Sequence, residues 1–334
     1  PEYPLYVNGE PVTTRSTTGY FSYYATGLSV GDNVFTFTHK GVTKIWTVTR
    51  AKASVSSDTM NSFGFVSGSF SPQYDYANVS GTKLTFYCTA PAGSTVYAKV
   101  GDYTVKMTTS AKAPSDGSFV KAYYEGTFVL PEISGNAVIG TPVFYAEMKG
   151  QTTAVKAMTN TVEVINDPRS YIVRMNSDGC DLAPTNVANT EDEYRKTSAG
   201  SWDTVVSKAR GFALLGSGLY VKNGTYTRDE TKSYALSAIS NITFTQSGDG
   251  KKTVMTLIGT DKNLYSVWAE RDTTTIMLYN VGYCPELKQI ASNPLFSGIS
   301  VKEVSNTSVQ ITLTHKESDF TFGYSAELTD TSLI

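Results

Sequence analysis

The chain is written in a period of two. Short runs alternate β-branched or aromatic residues with Thr, Ser and Lys, as in Leu84-Thr85-Phe86-Tyr87-Cys88, and Gly, Asn, Asp or Pro interrupts them at short intervals. From Thr43 to Thr49 the alternation sets Ile45, Thr47 and Thr49 on one face and Lys44, Trp46 and Val48 on the other. Long Ala/Leu/Glu/Lys stretches are missing, so the pattern predicts an all-β protein of many short strands joined by tight turns.

The punctuation divides the chain into four segments. Residues 1–54 hold Leu5-Tyr6-Val7, the hairpin signal Asn8-Gly9, a strand over Tyr20–Tyr24, and two strands around Lys40-Gly41, which together predict a small sandwich. Residues 55–62 are polar and aperiodic, the mark of a linker. Residues 63–168 carry strands over Leu84–Thr89, on both sides of Gly101-Asp102, and over Ala122–Leu130, Val143–Met148 and Thr159–Ile165, which fits a second sandwich ending at Asn166-Asp167-Pro168. Residues 169–235 have shorter strands and more charged loops, as a compact barrel would. Residues 237–334 contain seven alternating runs, the last over Phe320–Leu328, and predict a further sandwich. Hinges are expected near 55–62 and 166–170, where polar loops offer few contacts.

Particular strings carry a family resemblance. "LYVNGEPV", "YFSYYATGLSVGDNVFTFTHKG" and "TKIWTVTR" resemble the short Ig-like repeats of secreted bacterial wall proteins. "GSWDTVV" followed by "FALLGSGLYV" is similar to bacterial SH3-like modules. "ITFTQSGDGKKTVMTLIG", "PLFSGISVKEVSNTSVQITLTH" and "FGYSAEL" resemble the β-sandwich called the AMIN domain. In that order, the three resemble the non-catalytic N-terminal region of a secreted N-acetylmuramoyl-L-alanine amidase. The resemblance implies an extracellular, Gram-positive-type setting, binding to peptidoglycan, and no cofactor in this chain. It also implies a zinc hydrolase domain beginning beyond Ile334, with two His and a Glu on the metal and a further Glu as base.

Composition narrows the chemistry. The formal net charge is −2 and only 17% of residues are charged, which gives no basic stripe for nucleic acid or an anionic membrane. No apolar run approaches the roughly 20 residues of a membrane span, and the sequence opens at Pro1 with no signal-peptide pattern, as an exported protein trimmed at its start would. Cys88, Cys180 and Cys284 are odd in number and widely spaced, so free thiols are expected, with Cys88 buried on its strand. His39 and His315 lie far apart, flank turns, and have no metal-ligand or triad partner at a recognisable spacing. Glu191-Asp192-Glu193 reads as a solvated loop rather than a glycosidase pair, whose carboxylates must face each other across a cleft. Asn176 to Asp181 lacks the Gly and Glu of an EF-hand loop, and the glycines of Leu214 to Gly218 precede a strand rather than a phosphate-binding helix.

What remains is recognition by aromatic stacking on sugar faces. Trp202, Tyr194 and Tyr220 form the expected glycan-binding set, with Trp268 as a further candidate on the strand face of Leu264 and Ser266. The reading from another class is an adhesin or structural stalk, and a third is a stand-alone carbohydrate-active enzyme with convergent carboxylates. The oligomeric state is left open.

Overall fold

A computed structural model describes residues 3–13, 15, 20–51, 59–184, 195–249, 251–259, 261–287, 293–317 and 323–334. Tyr194, the acidic run Glu191-Asp192-Glu193, residues 55–58 of the expected linker and Phe320 lie outside the described residues. The protein is all-β: among the described residues the only helical element is a 3-10 turn at Pro168–Ser170. The chain divides into two compact units, Pro1–Asp167 with Ser207–Arg210, and Pro168–Val206 with Gly211–Ile334.

The first unit opens with β1 (Leu5–Val7), β2 (Glu10–Pro11), β3 (Gly31–His39) and β4 (Val42–Arg50), which form one antiparallel sheet in the order β2-β1-β3-β4. Two-residue turns set its registers. Asn8 and Gly9 have φ of 51° and 86°, and Lys40 and Gly41 have 52° and 77°, the left-handed pairs that match hairpin twist. The sandwich expected over residues 1–54 is corrected to this single sheet. Tyr20–Tyr24 forms no strand, and only an isolated bridge joins Phe21 to Arg15. β1 and β4 occupy the two sides of β3, and this segment lays its rings on the face of the sheet.

The rest of this unit comprises β5 (Thr59–Met60), β6 (Tyr76–Asn78), β7 (Lys83–Pro91), β8 (Thr95–Val100), β9 (Tyr103–Met107) and β10 (Phe119–Val129). It continues with β11 (Asn136–Gly140), β12 (Val143–Glu147), β13 (Ala154–Ala157) and β14 (Val162–Ile165). The ladders β5-β10-β7 and β13-β12-β8-β9 turn alternate residues inward, and Phe86, Val96, Tyr124, Phe144 and Val164 meet in one core. Cys88 lies in that core, and burial pushes its thiol up to about 12, which removes it as a nucleophile at neutral pH. Cys180 and Cys284 are also free thiols.

The second unit holds β15 (Ile172–Met175), β16 (Cys180–Ala183), β17 (Arg195–Thr197), β18 (Trp202–Ala209, whose last three residues belong to the first unit), β19 (Phe212–Leu215), β20 (Tyr220–Lys222) and β21 (Tyr226–Arg228). β15 pairs with β18 and β21, and β20 pairs with β19 and β16. Then come β22 (Ser237–Gln246), β23 (Thr253–Gly259), β24 (Tyr265–Ala269), β25 (Thr273–Tyr279), β26 (Val281–Tyr283), β27 (Phe296–Ser305), β28 (Ser308–His315) and β29 (Ser332–Leu333). Their two four-stranded sheets, β26-β22-β23-β29 and β24-β25-β28-β27, enclose a core around Leu257, Leu278 and Ile311. Where described, the strand expected over Phe320–Leu328 is irregular, with only an isolated bridge from Leu328 to Leu333 of β29, which itself pairs with β23. Residues 169–235 and 237–334 share this unit, and hydrogen bonds join them: Trp202 N donates to Lys262 O at 3.1 Å, and Ser198 and Tyr265 share a hydroxyl contact at 2.5 Å.

Asp229 staples this unit near the end of β21. The Thr231 hydroxyl and then the Arg174 guanidinium, at 2.7 and 2.6 Å, hold its carboxyl well below the usual carboxylate range. A depressed folded-state pKa contributes stability above the unfolded value of about 4, and that contribution is lost as pH falls through and below it. Thermal melts between pH 7 and pH ~2 should therefore show Asp229→Asn with a lower melting temperature at neutral pH and a shallower loss on acidification. Parallel acid limbs for variant and wild type would remove Asp229 from the account.

Candidate functional site

The structure scatters the expected glycan-binding residues. Trp202 has no exposed surface: it sits in the core with its ring against the edge of Tyr234 at 6.0 Å, and Lys232 Nζ lies 4.4 Å from its centroid. Its role is corrected from sugar platform to packing, because β18 is buried on both faces from Trp202 to Val206. Tyr220 is half-buried on β20, and burial raises its phenol. Trp268 is half-buried, with one ring face covered by the Arg195 guanidinium at 4.1 Å. Among the described residues no ring contact joins Trp202, Tyr220 and Trp268.

An accessible aromatic surface that includes a tryptophan lies on the N-terminal sheet. Cross-strand register puts Leu5, Val7, Phe35, Phe37 and Trp46 on one face, since Val7 opposes Phe37, Phe37 opposes Lys44 and Phe35 opposes Trp46. Phe21 and Tyr23 lie on this face, with ring centroids 6.1 Å from Phe37 and 5.8 Å from Phe35 respectively. Leu5, Val7 and Phe35 are buried on this face, while every residue of β4 is exposed. Trp46 is left 62% exposed at the end of an aromatic row, with Val42 and Val48 beside it on the same strand face. It is the one tryptophan of three whose ring is open to solvent.

A second aromatic pair competes less well. Tyr97 and Tyr145 stack at 4.9 Å with planes 10° apart on the outer face of β8 and β12, so each ring spends one face on the other. The Tyr97 hydroxyl donates to Glu147 at 2.8 Å, and Lys99 Nζ lies 5.6 Å from the Tyr145 centroid, which occupies the pair further. A sugar stacking there would replace contacts already made, whereas at Trp46 it would replace water.

The histidines and the carboxylates of the largest described recess are engaged within the fold. His39 Nδ1 meets Pro4 O at 3.1 Å, and His315 has Nε2 at 2.9 Å from the Thr274 hydroxyl and Nδ1 at 3.1 Å from Arg271 O. His315 is buried rather than turn-exposed as its sequence position suggested. A shallow recess of about 400 Å³ in the second unit is lined by Arg174, Gly200, Asp261, Lys262 and Asp330. Its carboxylates are ion-paired, Asp261 with Lys232 and Asp330 with Lys262, and the Lys262 ammonium holds Asp330 below its ordinary range, the opposite of what a general acid needs. Asp203, buried and pushed up by desolvation, accepts N–H groups from Thr204, Asn280 and Ser217 and serves as an internal anchor.

Sequence reasoning passed over Trp46 although a signal was present. Val42, Ile45, Trp46 and Val48 put apolar residues on both faces of one strand, a pattern of strands buried on two sides, yet all nine residues of β4 are exposed. The chain matches no family model, and neither the curated proteins nor the solved structures give a match to it.

Proposed function

We propose that this chain is the non-catalytic, glycan-binding region of a bacterial surface protein, holding a wall polymer such as peptidoglycan through the aromatic face of its N-terminal sheet. The observation that carries the reading is the open ring of Trp46 at the end of the Phe21, Tyr23, Phe35 and Phe37 cluster. A rigid indole held by a strand presents an apolar face to the C–H side of a pyranose, and Lys44 two residues away supplies hydrogen-bond donors for its hydroxyls. In a protein of the amidase type that the sequence resembles, hydrolysis would belong to a separate zinc domain, since the histidines of this chain are engaged in its own fold.

Sedimentation with purified peptidoglycan tests the reading. Trp46→Ala should weaken binding by about 5- to 150-fold, the equivalent of one aromatic stack of ~1–3 kcal/mol, with an unchanged melting temperature. Salt should matter little, because neutral stacking is not screened and the net charge of −2 offers little long-range attraction. Equal binding by the variant removes Trp46 from the site, and no binding by the wild type favours the adhesin or stalk reading.

A further inference from the structure

β4 is the edge of its sheet, and among the described residues nothing pairs with its outer side. Asn8 N donates to Thr36 O at 2.9 Å and Thr36 N to Asn8 Oδ1 at 2.8 Å, so the polar groups of Thr36 point toward β1 and away from β4. Antiparallel alternation then directs the groups of Phe35 and Phe37 at β4, where they meet Trp46 and Lys44. The N–H and C=O groups of Thr43, Ile45, Thr47 and Thr49 are therefore the ones aimed outward.

Natural sheets blunt such an edge with proline, a bulge, short length or charged side chains, lysine above all. This one runs nine residues in unbroken register with β3 and has no proline, and Lys44 is its one charge before Arg50. Its exposed apolar residues, Val42 at 61%, Ile45 at 70% and Trp46 at 62%, read as an interface strand rather than a solvated one.

We propose that the free edge of β4 pairs antiparallel with the same edge of a second copy of this chain, about a two-fold axis at Ile45. In that register the outward groups of Ile45 meet those of Ile45 in the other copy, and those of Thr43 meet Thr47, in about six hydrogen bonds. The intervening side-chain pairs are Val42 with Val48, an apolar contact, and Lys44 beside Trp46. Between Val42 and Val48 no like charges stand opposite each other, while at each end of the ladder Arg50 comes opposite Lys40 of the other copy, which keeps the contact weak. Pairing makes the two Trp46 faces continuous, so that a polymer would meet two platforms at once. That consequence rests on the glycan reading, while the pairing itself does not.

Sedimentation velocity of the full chain without glycan, from low micromolar to near millimolar, tests the pairing. A contact one strand wide belongs at the weak end of interface sizes, so the expected result is a concentration-dependent monomer–dimer equilibrium. Thr47→Pro deletes an N–H that bonds nothing among the described residues and should weaken the dimer by about tenfold or more with an unchanged melting temperature. Ile45→Lys, which sets like charges together at the two-fold on a solvated face, provides an independent variant and should do the same. A wild-type chain that stays monomeric over the whole range, or a dimer unaltered by both substitutions, overturns the proposal. Either result leaves the glycan reading to stand or fall by the Trp46→Ala measurement on peptidoglycan.

Discussion

Replacing Lys208 by Met is expected to destabilise the first unit by about 3–5 kcal/mol, the cost of leaving a buried charge without its partner. Lys208 Nζ lies 2.8 Å from Glu163 Oε1, and both side chains are 7% exposed. Glu163 also accepts the Thr161 hydroxyl at 3.0 Å. Lys208 opposes Ala77 of β6, and β6 runs parallel to β14, which carries Glu163, so the ion pair ties residues 207–210 to a sheet formed far earlier in the chain. Methionine fills the lysine stem's volume and supplies no donor, which isolates the missing charge as the cause. Lys208→Met with Glu163→Met should recover much of the loss, because two well-packed apolar residues can replace a buried pair at little net cost. Denaturant unfolding followed by hydrogen exchange at β6 and β14 amides reads the effect in the right unit. A single variant within ~1 kcal/mol of wild type would show that water reaches the pair.

The ion pair also shows what a sequence conceals. Lys208 and Glu163 lie in different segments, and each reads locally as a surface charge on an alternating strand. Two-residue turns were legible because their chemistry is local: Asn8-Gly9 and Lys40-Gly41 adopt the left-handed conformations that a tight hairpin demands. Long alternating strands such as β10 were legible for the same reason, with Ala122, Tyr124 and Phe128 turned inward as the period of two requires. Alternation defines two faces without saying what covers them. From Trp202 to Val206 polar and apolar residues are interleaved and all are buried, because Asn280 and Ser217 arrive from elsewhere to satisfy Asp203. On β4 apolar residues occupy both faces and all are exposed, because the rings of Phe21 and Tyr23 stop at β3. Tyr20–Tyr24 has a strand's composition, yet it spends its rings on the sheet face and forms no ladder. Burial depends on partners distant in sequence, and that is why the candidate site moved from Trp202 to Trp46.

Trp202→Ala is expected to cost about 3–5 kcal/mol of stability in the second unit and to leave wall-polymer binding by the folded protein unchanged. The indole is wholly buried against Tyr234 and beneath the Lys232 ammonium, which is itself ion-paired with Asp261. Its Nε1 makes no hydrogen bond among the described residues, so truncation removes contacts and opens a cavity without stranding a polar partner. The loss is therefore packing, and Trp202→Phe, which refills most of the volume, should retain a large part of it. Trp46→Ala should behave in the opposite way, with stability within ~0.5 kcal/mol of wild type and binding reduced. Melting temperature and peptidoglycan sedimentation, measured on both variants at a temperature where each is folded, separate the roles. A Trp202→Ala chain that keeps its stability and loses binding would return the platform to Trp202 and set aside the burial argument on which the assignment of Trp46 depends.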